Sequence, residues 1–436
     1  MSSEPQAGAG ERRALLVVRN TFEHDARVLR AALTIKRLDF DVTVLAVRGA
    51  RGAPAVEERD GVHVVRVGPS GGLARRAYAA LTRTGGRTPS GLAVEAAAGT
   101  EAAERRRAAG ATSLARAGAA RLVRWATTLD FSVRGIAAIR RLCPEIVQCD
   151  DYNTMWIGVA ARLMHRSAVV YDSHELWPDR NMRPEARWWL LACEALFARV
   201  ADAVVMTSPA HAEVLARRYR VPEPVVVRNI PAESARGRSG DGRARSGDGH
   251  GPVAIYVGGV LRHRGIEQSI RALSDVDRLT LRLLGPVEPD YRAELEHLAR
   301  SAGVRGRVEF SPPVAPTEVV DALAGADVGL ALFQPVCLSH RLVLPNKLFE
   351  YVRAGLPVVG SDLPMIARFV RDHDVGATVD PEDTEAIAAA LAATVEPERN
   401  AKLRAAAERA GRTLDWRKER ELLAGVYHEA LARAHR

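Results

Sequence analysis

The stretch ALLVVRNTFEHDARVLRAALTI (residues 14–35) holds one complete structural unit. Residues 14–18 form a continuous apolar run, the pattern of a parallel strand buried on both faces. A polar turn follows over Asn20 to Asp25. Beyond it Val28, Leu29, Ala32, Leu33 and Ile35 fall on about one face of a helix. The unit therefore reads as strand, turn and amphipathic helix, and its elements recur along the chain.

Further strand-like runs occupy residues 41–47, 62–67, 145–149, 168–172, 202–206 and 225–229. The stretch ESARGRSGDGRARSGDGHG (residues 233–251) has almost nothing to bury and reads as a flexible linker. Behind it the pattern restarts at residues 253–258, 279–285, 307–310, 327–333 and 357–360. Strands alternating with helices imply parallel, doubly wound sheets. With 436 residues, 47% of them hydrophobic, the chain has enough material for two such domains. The expected organisation is a disordered lead-in (1–12), a first Rossmann-like domain (13–232), the linker (233–251), a second Rossmann-like domain (252–415) and a C-terminal helix (416–436) placed to pack back on the first. Two α/β domains in tandem suggest a ligand cleft between them.

Composition narrows the function. No run of 18 or more apolar residues occurs, so no membrane-spanning helix is expected. The first residues, MSSEPQAGAGERR, lack the apolar core of a secretory signal. Cys143, Cys149, Cys193 and Cys337 are scattered without a C-x-x-C pair, which argues against a disulfide framework or a zinc site and suits a reducing cytoplasm. The net charge is +9. Aromatics are 5% of residues and do not alternate with the arginines, which argues against nucleic-acid binding. An anionic substrate or an anionic membrane surface suits the charge. Residues 74–126, rich in Arg and Ala, are expected to be helical with a basic face on the acceptor side, able to touch the inner face of such a membrane.

The most specific segment is PNKLFEYVRAGLPVVGSDLP (residues 345–364). Pro345 can start a helix, and Gly355-Leu356-Pro357 ends it. The first turn of a helix offers free backbone N–H groups to an anion. Asn346, Lys347 and Leu348 form that turn, and Glu350 lies on the same side as Lys347. A cation for phosphates beside a carboxylate for hydroxyls suits a nucleotide-sugar. The segment resembles the retaining GT-B glycosyltransferases of glycosyltransferase family 4, and the likeness extends over nearly the whole chain. It implies two Rossmann-like domains facing a central cleft, and transfer of a sugar from a UDP- or GDP-type donor to an acceptor hydroxyl, with retention and without metal or cofactor. The acceptor would be a glycan, a lipid-linked intermediate or a small metabolite. It also implies that Glu350 grips the ribose and that the Lys347 region meets the diphosphate.

The resemblance assigns further residues. In YVGGVLRHRGIEQSIRAL (residues 256–273) the glycines Gly258 and Gly259 allow a phosphate close to the backbone. Gly285 ends the next strand. Arg264 stands where the family usually has lysine. The family's arginine position is Gly259 here, which makes Arg262 a candidate substitute. Many members carry a glutamate eight residues before Glu350; that position is Leu342, so the sugar contact falls to the loop carrying His340 and Arg341. On the first domain, Asn20, His24 and Arg27 are cleft candidates, with Asp25 a helix cap. IVQCDDYNT (residues 146–154) offers Asp150 and Asp151, and VVYDSHELWP (residues 169–178) offers Asp172, His174 and Glu175. Asp150, Asp151 and His174 are the catalytic candidates. A nucleotide-sugar 2-epimerase and a non-catalytic sugar-nucleotide-binding partner remain the rival readings.

Overall fold

The computed structural model describes residues 12–23, 25–49, 53–68, 111–181, 185–231 and 251–436. His24, the lead-in, most of the basic stretch 74–126 and nearly all of the linker lie outside the described residues.

The first domain is built on an eight-stranded sheet. Its strands are β1 (Arg13–Val17), β2 (Asp41–Val47), β3 (Val56–Arg59), β4 (Val62–Val67), β5 (Ile146–Asp150), β6 (Ala168–Ser173), β7 (Ala203–Met206) and β8 (Val225–Val226), in the order β3-β4-β2-β1-β5-β6-β7-β8. All neighbours are parallel except β3 and β4. The antiparallel edge departs from the all-parallel sheet expected. β3 is VEER, a short polar edge strand without the apolar run that marks a buried one.

The second domain has β9 (Val253–Val257), β10 (Thr280–Leu284), β11 (Val308–Ser311), β12 (Val328–Ala331), β13 (Val358–Ser361) and β14 (Gly376–Val379). They lie parallel in the order β11-β10-β9-β12-β13-β14. Each sheet has a core on both faces, so β1, β5, β9 and β12 are buried on both sides. Each buried Val, Leu or Ile there contributes about 1.5–3 kcal/mol.

In both sheets the strand order reverses beside the central strand, between β1 and β5 and between β9 and β12. Crevices at the carboxyl ends of strands open at such points. The helix Trp416–Ala434 packs on the first domain, where Leu423, Val426, Tyr427, Ala430 and Leu431 join the core around β1, β5 and β6. Glu419, 1% exposed, ties it down: Arg228 donates to it from its backbone N–H at 2.7 Å and from Nε at 2.9 Å.

Candidate active site

A cleft of about 880 Å³ is lined from both domains. On the second domain, Gly258 follows β9 and Gly285 follows β10. Their φ angles are +110° and +147°, a region that side chains rarely tolerate. A Cβ on Gly285 would stand 2.1 Å from the carbonyl oxygen of Gly258. The two turns therefore lie backbone against backbone, with bare peptide toward the cleft. Pro345 caps the helix Asn346–Arg353, and Pro345, Asn346 and Glu350 line the cavity. That helix thus presents its free N–H groups to the cleft.

Two cations stand beside these glycines. Lys347 is 8% exposed, and its Nζ lies 3.4 Å from the centre of the Tyr256 ring. The Arg264 guanidinium lies 4.0 Å from the centre of the Phe333 ring. Lys347 Nζ and Arg264 Nη1 are buried without hydrogen-bond partners among the described residues. Burial, and then the neighbouring Arg264, hold the Lys347 pKa well below its usual value, against the pull of Glu350. Two desolvated positive groups, bare peptide and a helix N-terminus form a site that an anion would complete. Burial pushes the Glu350 carboxyl up, opposed by Lys347 and by Arg30 from across the cleft.

The first domain brings a different constellation. Arg27, 6% exposed, sits on the helix Ala26–Lys36, which Asp25 caps by accepting from the Val28 N–H. Asn20 in turn donates to Asp25 at 2.7 Å. Arg27 grips Asp172 at the end of β6 with two bonds, 2.9 and 2.7 Å, and donates a third to the carbonyl of Val227 at 2.9 Å. His174 lines the cavity between three carboxylates: Asp150 at 3.8 Å, Asp172 at 3.7 Å and Asp151 at 3.6 Å. Burial works against its charge, but Asp151 and Asp172 outweigh it and raise the imidazole pKa to about 10. Burial also raises the Asp150 carboxyl well above its usual value, with Asp172 adding to the effect. Asp172 is held below its usual range: burial opposes this, and Arg27 with His174 overcome it. His174 is therefore an imidazolium at neutral pH, facing the cleft beside a carboxyl held up by burial (Asp150) and one held down by its cationic partners (Asp172). Its buried Nε2 has no hydrogen-bond partner.

Asp150, Asp172 and His174 place one ligand atom each within 4.8 Å of the others, the arrangement that could hold a metal among the described residues. Arg27 occupies both oxygens of Asp172, so its own positive charge stands where an ion would draw on that carboxylate.

The structure redistributes several expected roles. Asp150 and Asp151 do not line the cavity; Asp151 helps to hold the charge on His174, and Asp150 lies 3.8 Å from its Nε2. Asp172 likewise acts through Arg27 and His174. Arg262 turns away from the cleft to Glu294 and packs 4.6 Å over Tyr291, so it does not substitute for the missing arginine at Gly259. Leu348 points into the core and Arg341 into solvent. Asn20, Arg27, Glu175, Gly259, Arg264 and His340 do line the cavity. His340 is kept neutral, its pKa lowered to about 4 by burial and by Arg264, while its Nδ1 meets the Gln334 carbonyl at 3.1 Å.

Leu342, at the family's glutamate position, packs against the core of the first domain, and its carbonyl accepts from Ser208 Oγ at 2.9 Å. His211 Nε2 meets the Ser339 carbonyl at 3.0 Å. The loop that carries a sugar contact elsewhere therefore joins the domains here. The reading of the sequence missed Arg30, which lines the cavity, contacts Asn229 and lies 4.9 Å over Trp416. Its position one turn beyond Arg27 on the same helix was the available signal.

Two family models match the chain: Glycosyltransferase Family 4 over residues 91–229 and Glycosyl transferases group 1 over residues 243–413. A D-inositol 3-phosphate glycosyltransferase of Acidothermus cellulolyticus is 30% identical over 55% of this chain and 56% of that one. A lipopolysaccharide core biosynthesis glycosyltransferase of Rhizobium meliloti is 31% identical over 42% of this chain and 50% of that one. The chain thus matches about half the length of these relatives. Among solved structures, sucrose-phosphate synthase from Thermosynechococcus elongatus aligns with a TM-score of 0.70 at 15% identity, over 97% of this chain and all of that one. Anabaena HepE in complex with UDP aligns with 0.63 at 13% identity, over 95% and 99%. The chain is a two-domain protein of GT-B fold, in which one segment of the first domain matches the Glycosyltransferase Family 4 model and the second domain matches the Glycosyl transferases group 1 model.

Proposed function

We propose that the chain transfers a sugar from a nucleoside-diphosphate-sugar to an acceptor hydroxyl, with retention of configuration and without metal. The observation that carries this reading is the pair of buried, unpaired cations, Lys347 and Arg264, beside the Gly258 and Gly285 turns. A donor diphosphate would satisfy both, and negative charge growing on it as the sugar leaves would meet groups already in place. Glu350 would take the ribose hydroxyls. The UDP complex of HepE and the likeness to glycosyltransferases of known acceptor support a nucleotide-sugar donor.

His174, charged and facing the cleft, would donate a hydrogen bond to a sugar hydroxyl or to developing negative charge. It is not a proton acceptor while charged. The acceptor would enter from the side of Arg27, Arg30 and His174, and a glycan, a lipid-linked intermediate and a small metabolite all suit that side. The test incubates the full chain with UDP- and GDP-sugars, with and without an acceptor library, and measures released nucleoside diphosphate and product. Acceptor-dependent release that falls steeply in Glu350→Ala is expected. Conversion of the nucleotide-sugar without acceptor would favour an epimerase, and binding without turnover a non-catalytic partner.

A further inference from the structure

Three helices lie side by side on one face of the first sheet: the long helix Ala111–Leu142, the helix Met155–His165 and the helix Arg187–Val200. Their inner sides fill the core with residues such as Ile139, Ile157 and Phe197. Their outer sides carry exposed apolar side chains as well. Of the twelve large apolar side chains exposed among the described residues, nine lie here, three on each helix. They include Trp125, Trp156, Trp188 and Trp189, four of the six tryptophans of the chain; Leu163 is 80% exposed and Trp188 71%. So large a group of exposed apolar residues marks a contact surface.

Charge decides what that contact is. The three helices carry nine arginines (six, one and two) against two acids. Asp130 is bonded to Arg134 at 3.0 Å, and Glu194 is buried between Tyr171 and Tyr219. Asp202 and Asp179, outside these helices, pair with Arg162 and Arg187, and the layer still keeps an excess of positive charge; a second copy would set that excess against itself across a two-fold interface, which like charges oppose. The chain's own segment 69–110 has seven arginines and three glutamates, so it is no better a match. The complementary surface is anionic outside and apolar beneath. Tryptophan favours the boundary between the two, and arginine can bury its stem there while its head stays at the phosphates.

We propose that the outer face of this three-helix layer docks on an anionic lipid bilayer. The inference moves any membrane contact from the basic stretch 74–126 to a folded surface, and it stands independently of the transfer reaction.

The full chain is sedimented with vesicles of phosphatidylcholine alone and with vesicles also containing phosphatidylglycerol, at low and moderate salt. Binding to the anionic vesicles, weakened by salt, with a blue shift of tryptophan emission, is expected. Trp188→Ser combined with Leu163→Ser removes two exposed apolar groups and should lower partitioning at least about tenfold. Melting curves check that this variant is folded. Val56→Ser, a 67% exposed residue on the β3 edge outside the layer, serves as the control and should bind like the parent. Recovery of the parent in the supernatant with both vesicles overturns the proposal. So does partitioning that the double variant leaves unchanged, or a parent dimer that the double variant returns to monomer.

Discussion

Replacing Lys347 with methionine separates binding from stability by the sign of each effect. Methionine keeps an unbranched stem over Tyr256 and removes the ammonium. In the unliganded chain that ammonium is buried, has no hydrogen-bond partner and lies near Arg264. Removing a buried polar group of this kind relieves roughly 1–3 kcal/mol, so the melting temperature should rise. A nucleoside diphosphate would lose a charge-assisted bond of roughly 1.5–3 kcal/mol, a weakening of about tenfold to just over a hundredfold. Calorimetric titration with UDP and GDP, beside melting curves, reads both effects. The Lys347 pKa is depressed below its usual 10.5. Between the two values the unfolded chain holds a proton that the folded chain does not, so this group's contribution to stability rises with pH. The gap in melting temperature between variant and parent should therefore narrow as pH climbs toward 10.5. Unchanged nucleotide affinity, or a lower melting temperature, would refute the reasoning.

Arg27→Met should destabilise the fold by about 3–5 kcal/mol, because it leaves Asp172 charged and buried without its two-bond partner; denaturant titration measures this. The His174 pKa is raised to about 10, so its stabilisation is full below the unfolded value of about 6.5 and fades as pH rises through 10. Melting temperatures of parent and His174→Gln should therefore differ most at mildly acidic pH and converge in strong alkali. Transfer activity should persist in excess chelator; complete loss, restored by Mg²⁺ or Mn²⁺, would assign the Asp150, Asp172 and His174 group to a metal.

The buried parallel strands and the Pro345 helix were legible because each announces itself over a few consecutive residues. β3 and β14 were not: VEER is a polar edge, and GATV is too short and too small to stand out as an apolar run. On the donor side, local spacing already placed Lys347 and Glu350 on one face of a helix. On the first domain the decisive pairing joins Arg27 to Asp172, 145 residues away, and no local pattern records it. Arg262 and Arg264 look alike in sequence. Glu294, on a helix that follows the next strand, draws one of them out of the cleft. Leu342 looked like a missing ligand, and only its packing reveals a contact between domains.

In the proposed function, Lys347, Arg264 and the paired glycine turns hold a donor diphosphate. A crystal structure of the chain with UDP bound tests it most directly. The diphosphate is expected against the Gly258–Gly259 turn, within hydrogen-bond distance of Arg264 and Lys347 Nζ, with the ribose hydroxyls on Glu350. A nucleotide whose phosphates lie against Arg27 and His174 instead, with Lys347 still unpaired beneath the turn, would contradict it.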